Sequence, residues 1–261
     1  MATRSEQLAL QVDDEHIAGT FLTPDAKVPG VLFVHGWGGS QQRDLGRAKG
    51  IAGLGCVCMT FDMRGHGLTQ DKQQHITRED SLRDVLAAYD RLAKHPQVDA
   101  EAIAVVGTSY GGYLSAILTS MRPVKWLALR VPALYRDEDW TVPKRQLNKE
   151  DLSHYRNSRI HSSENRALAA CAQFKGDVLV VESEHDDFVP HTTIMNYRAA
   201  FQHTRSLTHR IIEGADHGLN GETYQQAYTA ILVSWATEMI VGARVGGGMP
   251  GELSVASTTS L

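Results

Sequence analysis

No stretch of this 261-residue chain approaches the roughly 20 consecutive apolar residues that a membrane-spanning helix needs. Residues 1–12 carry Arg4 and Glu6 where a secretory leader would hold an unbroken apolar run, so no leader is expected. Cysteine is scarce. Cys56, Cys58 and Cys171 are an odd number, and their spacing matches no zinc or redox pattern. A disulfide framework and a structural metal are thereby excluded, and a reducing, cytoplasmic setting is expected. Neither sign of charge dominates: 26 basic and 30 acidic residues leave a net charge of −4, with no long block of either. Electrostatic capture of nucleic acid or of an anionic membrane is therefore not the expected role. Internal repeats are absent too, and low complexity is confined to the Gly- and Ser-rich residues 246–261, which read as a tail.

What remains is a chain of ordinary globular composition, 42% apolar and 21% charged, long enough for one sizeable α/β domain over residues 1–245. Apolar runs of strand length fall at 31–34, 56–61, 103–106, 126–131, 178–181 and 208–212, and helical patterns separate them. That alternation predicts a mostly parallel sheet with helices on both faces. Arg210 marks the last run as more exposed. Short alternating segments at 7–11 and 17–22 predict an antiparallel hairpin at one sheet edge, for about eight strands in all. Leu82, Val85, Leu86, Tyr89, Leu92 and Ala93 form one stripe of a helix over 77–93, with Thr77 and Asp80 placed to cap it. Tyr224, Tyr228, Ile231, Leu232, Trp235 and Met239 mark a final helix. Both stripes read as core packing. Residues 132–163, with two prolines, Tyr135, Trp140, Tyr155 and many charges, break the pattern; an irregular insertion of this length is expected to act as a lid.

The sharpest chemical signal is Gly107-Thr108-Ser109-Tyr110-Gly111-Gly112, after one apolar run and before a helical one. A serine hydroxyl is a poor nucleophile unless it is held exposed beside a base. A tight strand-to-helix turn does that, and glycines two residues either side let the backbone cross. The bland alternative is a serine that only caps the helix. A second signal, His35-Gly36-Trp37-Gly38-Gly39, follows the strand at 31–34; its glycines free N–H groups, and Trp37 and Tyr110 amides are the expected oxyanion donors. Further on, the strand at 178–181 leads into Glu182-Ser183-Glu184-His185-Asp186-Asp187, and the strand at 208–212 into Asp216-His217-Gly218. Carboxylates and one imidazole thus arrive at the carboxyl edge of the sheet, where open α/β sheets bind ligands.

With these motifs the chain resembles the α/β-hydrolase fold family over about residues 6–241, and within it the small bacterial serine esterases of dienelactone-hydrolase-like and cinnamoyl or feruloyl esterase type. The matching pieces are His35-Gly36, the run Phe61-Asp62-Met63-Arg64-Gly65-His66-Gly67, the turn at Ser109, Asp186 to Pro190, and Gly214-Ala215-Asp216-His217. The resemblance implies a serine carboxylesterase with Ser109 as nucleophile, His217 as base and an acid set by a D-x-x-V-P register, which selects Asp186 over its neighbour Asp187. It also implies a short insertion after residue 131, a structural turn at Asp62, Arg64 and His66, and an acyl pocket narrowed by the bulky Trp37. Tyr135 and Trp140 are the expected further substrate contacts. No cofactor and no metal are expected; His185, Asp186, Asp187 and His191 match no metal-site spacing. The expected partner is a small-molecule ester, with self-association left open. Arg130, Arg136, Arg156 and Arg159 are candidates to clamp a substrate carboxylate, against a plainly solvated lid face. Alternatives are a thioesterase or peptidase-like acyl hydrolase, although 261 residues leave no room for the propeller of oligopeptidases, and a binding protein that keeps the fold without turnover.

Overall fold

A strand covered on both faces has no solvent side, so its sequence is continuously apolar rather than alternating. The computed structural model describes residues 3–12, 15–24 and 27–246, with side chains placed over 27–242. In chain order the strands are β1 (Thr3–Val12), β2 (Glu15–Pro24), β3 (Val28–Val34), β4 (Val57–Thr60), β5 (Val98–Thr108), β6 (Trp126–Arg130), β7 (Asp177–His185) and β8 (Ser206–Asp216). Six of them form one parallel sheet in the order β4-β3-β5-β6-β7-β8. The expected sheet of about eight strands is thus smaller. The hairpin forms, but β1 and β2 pair residue for residue with each other as a sheet of their own. A ribbon that completes its own ladder over ten residues gains little from an edge such as β4, which offers four.

Alternate residues of the buried strands feed two cores. Leu32, Val34, Val105, Leu127 and Leu129 point to one face, where they meet α2 (Arg78–Ala93), α3 (Tyr110–Leu118), α5 (Arg166–Gln173) and α6 (His191–Ala200). Val31, Phe33, Ala104, Val106 and Trp126 point to the other, against α1 (Gln42–Ala52) and α7 (Glu222–Gly246). Each fully buried Leu or Phe contributes about 1.5–3 kcal/mol by leaving water. Helix α2 begins as its sequence dictates: the Thr77 side chain accepts from Asp80 N–H while the Asp80 carboxylate accepts from Thr77 N–H. At the other edge β8 is the less covered strand, with Arg210 and Ile211, on opposite faces, both in solvent.

Residues 132–163 are more ordered than their composition suggests. They hold a 3₁₀ turn at Lys144–Gln146 and a helix α4 (Lys149–Asn157), whose first turn is capped by the Asn148 side chain accepting from Glu150 and Asp151 N–H. Helix α7 runs on to Gly246, so the tail reading of 246–261 otherwise lies outside the described residues. No helix among the described residues is long and apolar enough to cross a membrane. The carboxyl ends of β3, β5, β6, β7 and β8 open on one edge of the sheet, and the loops that leave them carry the chemistry.

Candidate active site

Ser109 sits between β5 and α3 with φ 52° and ψ −112°, a conformation that side-chain-bearing residues rarely adopt. Its neighbours explain how the strain is held. Ser109 N–H donates to Arg130 O at 2.9 Å, and Ser109 O accepts from Tyr113 N–H and Ala133 N–H at 3.1 and 3.0 Å. The glycines are required by close approach: a Cβ on Gly111 would strike the carbonyl oxygens of Val34 and His35, and one on Gly107 would lie 2.7 Å from Gly112 Cα. The turn is therefore wedged against the end of β3.

His217 follows β8 and reaches Ser109 across the sheet edge, Nε2 to Oγ 3.0 Å. Its Nδ1 meets Asp186 Oδ2 at 2.7 Å. An ionised carboxylate only accepts, so Nδ1 carries the proton and Nε2 is left to accept from the serine hydroxyl. Asp186 is held in turn, its Oδ1 accepting from Phe188 and Val189 N–H at 2.9 and 2.7 Å, and its side chain is 2% exposed. Asp187 points into solvent and makes no hydrogen bond to His217. Of the two adjacent carboxylates, the structure brings Asp186 to the imidazole.

The loop after β3 closes the third side. Gly36 lies so near that a Cβ there would be 3.3 Å from Ser109 Cβ. Tyr110 is the first residue of α3, so its N–H has no partner within the helix, and no acceptor among the described residues receives Trp37 N–H. The Tyr110 side chain turns away into the core and stacks edge-on against the Trp37 ring, 5.3 Å between centroids. Behind this loop His66 Nε2 accepts from Gly38 N–H at 3.1 Å and His35 Nε2 accepts from Met63 N–H at 3.1 Å. Burial lowers the affinity of both rings for a second proton, with the two imidazoles also disfavouring charge on each other at His66. Asp62 accepts from Gln41 N–H and Nε2. The run from Phe61 to Gly67 is thus a brace for the Trp37 loop.

Two cavities meet at Ser109, Trp37 and His217. One, about 340 Å³, is lined by Arg43, Arg47, Arg130, Asn220 and Gln225. The other, about 490 Å³, lies under α4 and is lined by Tyr135, Lys144, Leu152, Arg156 and Phe188. Phe188 is exposed and tilts over the His217 ring at 5.3 Å. Trp140, expected beside Tyr135, lines neither cavity: the Arg166 guanidinium, held by Asp137, sits 3.9 Å over its ring and keeps it aside. Arg136 pairs with Glu138, and Arg130 donates to His217 O at 3.0 Å. His209 pairs with Glu182 away from the serine, and burial pushes the Cys58 thiol up to about 12. Among the described residues no group of three His, Cys, Asp or Glu side chains gathers to hold a metal. Lys144 and Phe188 carried no sequence signal that set them apart from other loop residues.

The sequence pattern that defines the prolyl oligopeptidase family matches residues 46–242, three quarters of the chain. The chain belongs to the prolyl oligopeptidase family. Other members of this fold surround it. An uncharacterised protein of Mycobacterium tuberculosis is 29% identical over 214 residues, covering 80% of this chain and 71% of that protein. A structure of Est1E from Butyrivibrio proteoclasticus, with ferulic acid bound, superimposes with a TM-score of 0.63 at 16% identity, covering 92% of this chain and 96% of that one. Dienelactone hydrolase from Anabaena variabilis gives 0.57 at 17% identity, covering 90% and 98%. The fold is that of the α/β hydrolases, as the motifs implied, and this family member is a hydrolase-fold protein with a six-stranded parallel sheet.

Proposed function

We propose that the protein is a serine hydrolase that cleaves small carboxylic esters through an acyl-enzyme. The observation that carries this reading is the unbroken chain from Asp186 through His217 to Ser109, at 2.7 and 3.0 Å, on the carboxyl edge of the sheet. Ser109 Oγ attacks the ester carbonyl carbon as its proton passes to His217 Nε2. The oxygen that takes up the negative charge is received by Trp37 and Tyr110 N–H, each such donor being worth about 2.7–4 kcal/mol to the transition state. The positive end of α3 adds to it. Collapse expels the alcohol, which takes the proton from Nε2, and water repeats the sequence to free the acid. Asp186 keeps the imidazole in the required tautomer and stabilises its charged form. The rest of the reading is one hydrolase domain over residues 1–245, in which residues 132–163 form a lid that brings Tyr135 to the substrate, and a cytoplasmic location.

The family match favours a second reading, a peptidase-like acyl hydrolase, because the same groups can open an amide. A fluorophosphonate probe followed by paired substrates separates the possibilities. The probe should label the wild-type protein at Ser109 and leave Ser109→Ala unlabelled, and the variant should lose ester turnover by about 10⁴-fold while remaining folded. Turnover should be faster with a 4-nitrophenyl ester than with the matching anilide. Undiminished turnover by a folded Ser109→Ala would falsify the assignment, and a preference for the anilide would replace esterase by peptidase.

A further inference from the structure

The 490 Å³ cavity beside Ser109 gathers positive charge without a matching carboxylate. Lys144 is anchored through its backbone N–H to Ile76 O at 2.9 Å, and its ammonium stands 4.6 Å from the centre of the Trp37 ring, 5.5 Å from Tyr110 and 5.6 Å from Tyr135. Arg156, buried on α4, spends Nε on Leu134 O and Nη1 on Phe188 O, and its guanidinium is 4.9 Å from the Tyr135 ring. Arg78 lies 5.3 Å from that ring, fully buried, and none of its side-chain nitrogens has an acceptor among the described residues. None of the three forms an ion pair with a carboxylate of a described residue; the acid that lines the cavity, Asp187, is exposed.

Taking a cation out of water costs more than an aromatic face returns. Three cations around one phenol therefore leave charge uncompensated. The surroundings register it: burial, with Arg156 and Arg78, holds the Lys144 ammonium below the ordinary lysine range although the Tyr135 phenol pulls the other way. The Tyr135 phenol, which burial alone would push up, is pulled down by Lys144, Arg156 and Arg78.

Resting on the ester-hydrolase reading, we infer that the part of the substrate entering this cavity carries a carboxylate, received by Lys144 with Arg156 behind it. A carboxylate suits the cluster better than a phosphate. It brings a single charge and two oxygens, enough for the Lys144 ammonium and the donors that Arg156 has left after giving Nε to Leu134 O and one Nη1 hydrogen to Phe188 O. The substrate class is then the half-ester of a dicarboxylic acid, or an ester whose alcohol bears the acid group.

Two matched pairs test it: 4-nitrophenyl hemiadipate against its methyl ester, and 4-butyryloxybenzoate against its methyl ester. One pair should show a preference for the anion of about tenfold or more in kcat/KM. Lys144→Met should bring that ratio close to one, and Lys144→Arg should retain most of it. Equal rates within both pairs, or a ratio unmoved by Lys144→Met, overturn the inference and leave the hydrolase reading intact. Should neither ester be turned over, the hydrolase reading falls, and calorimetry on Ser109→Ala still decides the anion site. Monomethyl adipate should bind, dimethyl adipate should bind at least about tenfold more weakly, and adding Lys144→Met should remove the difference. Inorganic phosphate binding more tightly than monomethyl adipate would move the assignment from carboxylate to phosphate.

Discussion

Neighbouring side chains diverge where a strand runs into a loop, and Asp186 and Asp187 show what that divergence decides. Asp186 is buried among two backbone N–H donors and the imidazole; Asp187 faces solvent. Asp186→Asn should therefore lower kcat by about 10⁴-fold, since an amide can donate to Nδ1 and favours the wrong tautomer. Asp187→Asn should cost about tenfold or less, and steady-state kinetics on one activated ester compares the two. His66 and His35 set a second expectation. Each ring uses one nitrogen as an acceptor, from Gly38 and Met63 N–H, and burial lowers both proton affinities below the ordinary 6.5. In the unfolded chain these rings protonate first as pH falls, so the unfolded state binds more protons and stability declines below about pH 6.5. Above that value the contribution is complete. His66→Gln keeps an acceptor but does not titrate, so its urea midpoint should fall less than that of the wild type between pH 7 and 5. Parallel losses in the two proteins would clear His66 of the effect.

Helices differed in how plainly they could be read. The stripe of α2 is apolar at helical spacing and its Thr77–Asp80 cap is a local signal, so both end and face were legible. Helix α4, Lys-Glu-Asp-Leu-Ser-His-Tyr-Arg-Asn, buries little and offers no stripe, so nothing set it apart within the irregular stretch 132–163. The strands and the Ser109 turn were legible because burial on both faces and close backbone crossing each dictate residue type. Lys144 was not, because a lysine in a charged loop looks solvated until aromatic rings from three other segments close on it. Trp140 misled for the converse reason: aromaticity favours burial but does not say against what, and Arg166 took the ring. Two capping changes follow. Asn148→Ala and Thr77→Ala should each cost about 1 kcal/mol of helix stability. Because α4 carries Leu152 and Arg156 to the cavity wall, Asn148→Ala should also raise KM severalfold with little change in kcat. Thr77→Ala should lower Tm and leave KM within about twofold.

On the scale of the whole molecule, the sheet centre and its edge are unequal. Leu129 on β6 is fully buried, whereas Ile211 on β8 is 48% exposed. Leu129→Ala should cost about 2–5 kcal/mol, and Ile211→Ala no more than about 0.5 kcal/mol, measured by denaturant midpoints. That rigid centre extends to the site through Arg130, whose carbonyl accepts from Ser109 N–H and whose guanidinium donates to His217 O. Loops usually open alone, at small free-energy cost, and their amides exchange with solvent accordingly. Here the serine amide closes onto the end of β6, and the next amide along, Val131 N–H, closes onto Val181 O of β7. Neither can meet water unless two central strands part. Deuterium should therefore enter the Ser109 and Val131 amides as slowly as it enters the middle of the sheet. The nucleophile and its base would then share one opening event, in which the resting protein is either wholly assembled for attack or not assembled at all.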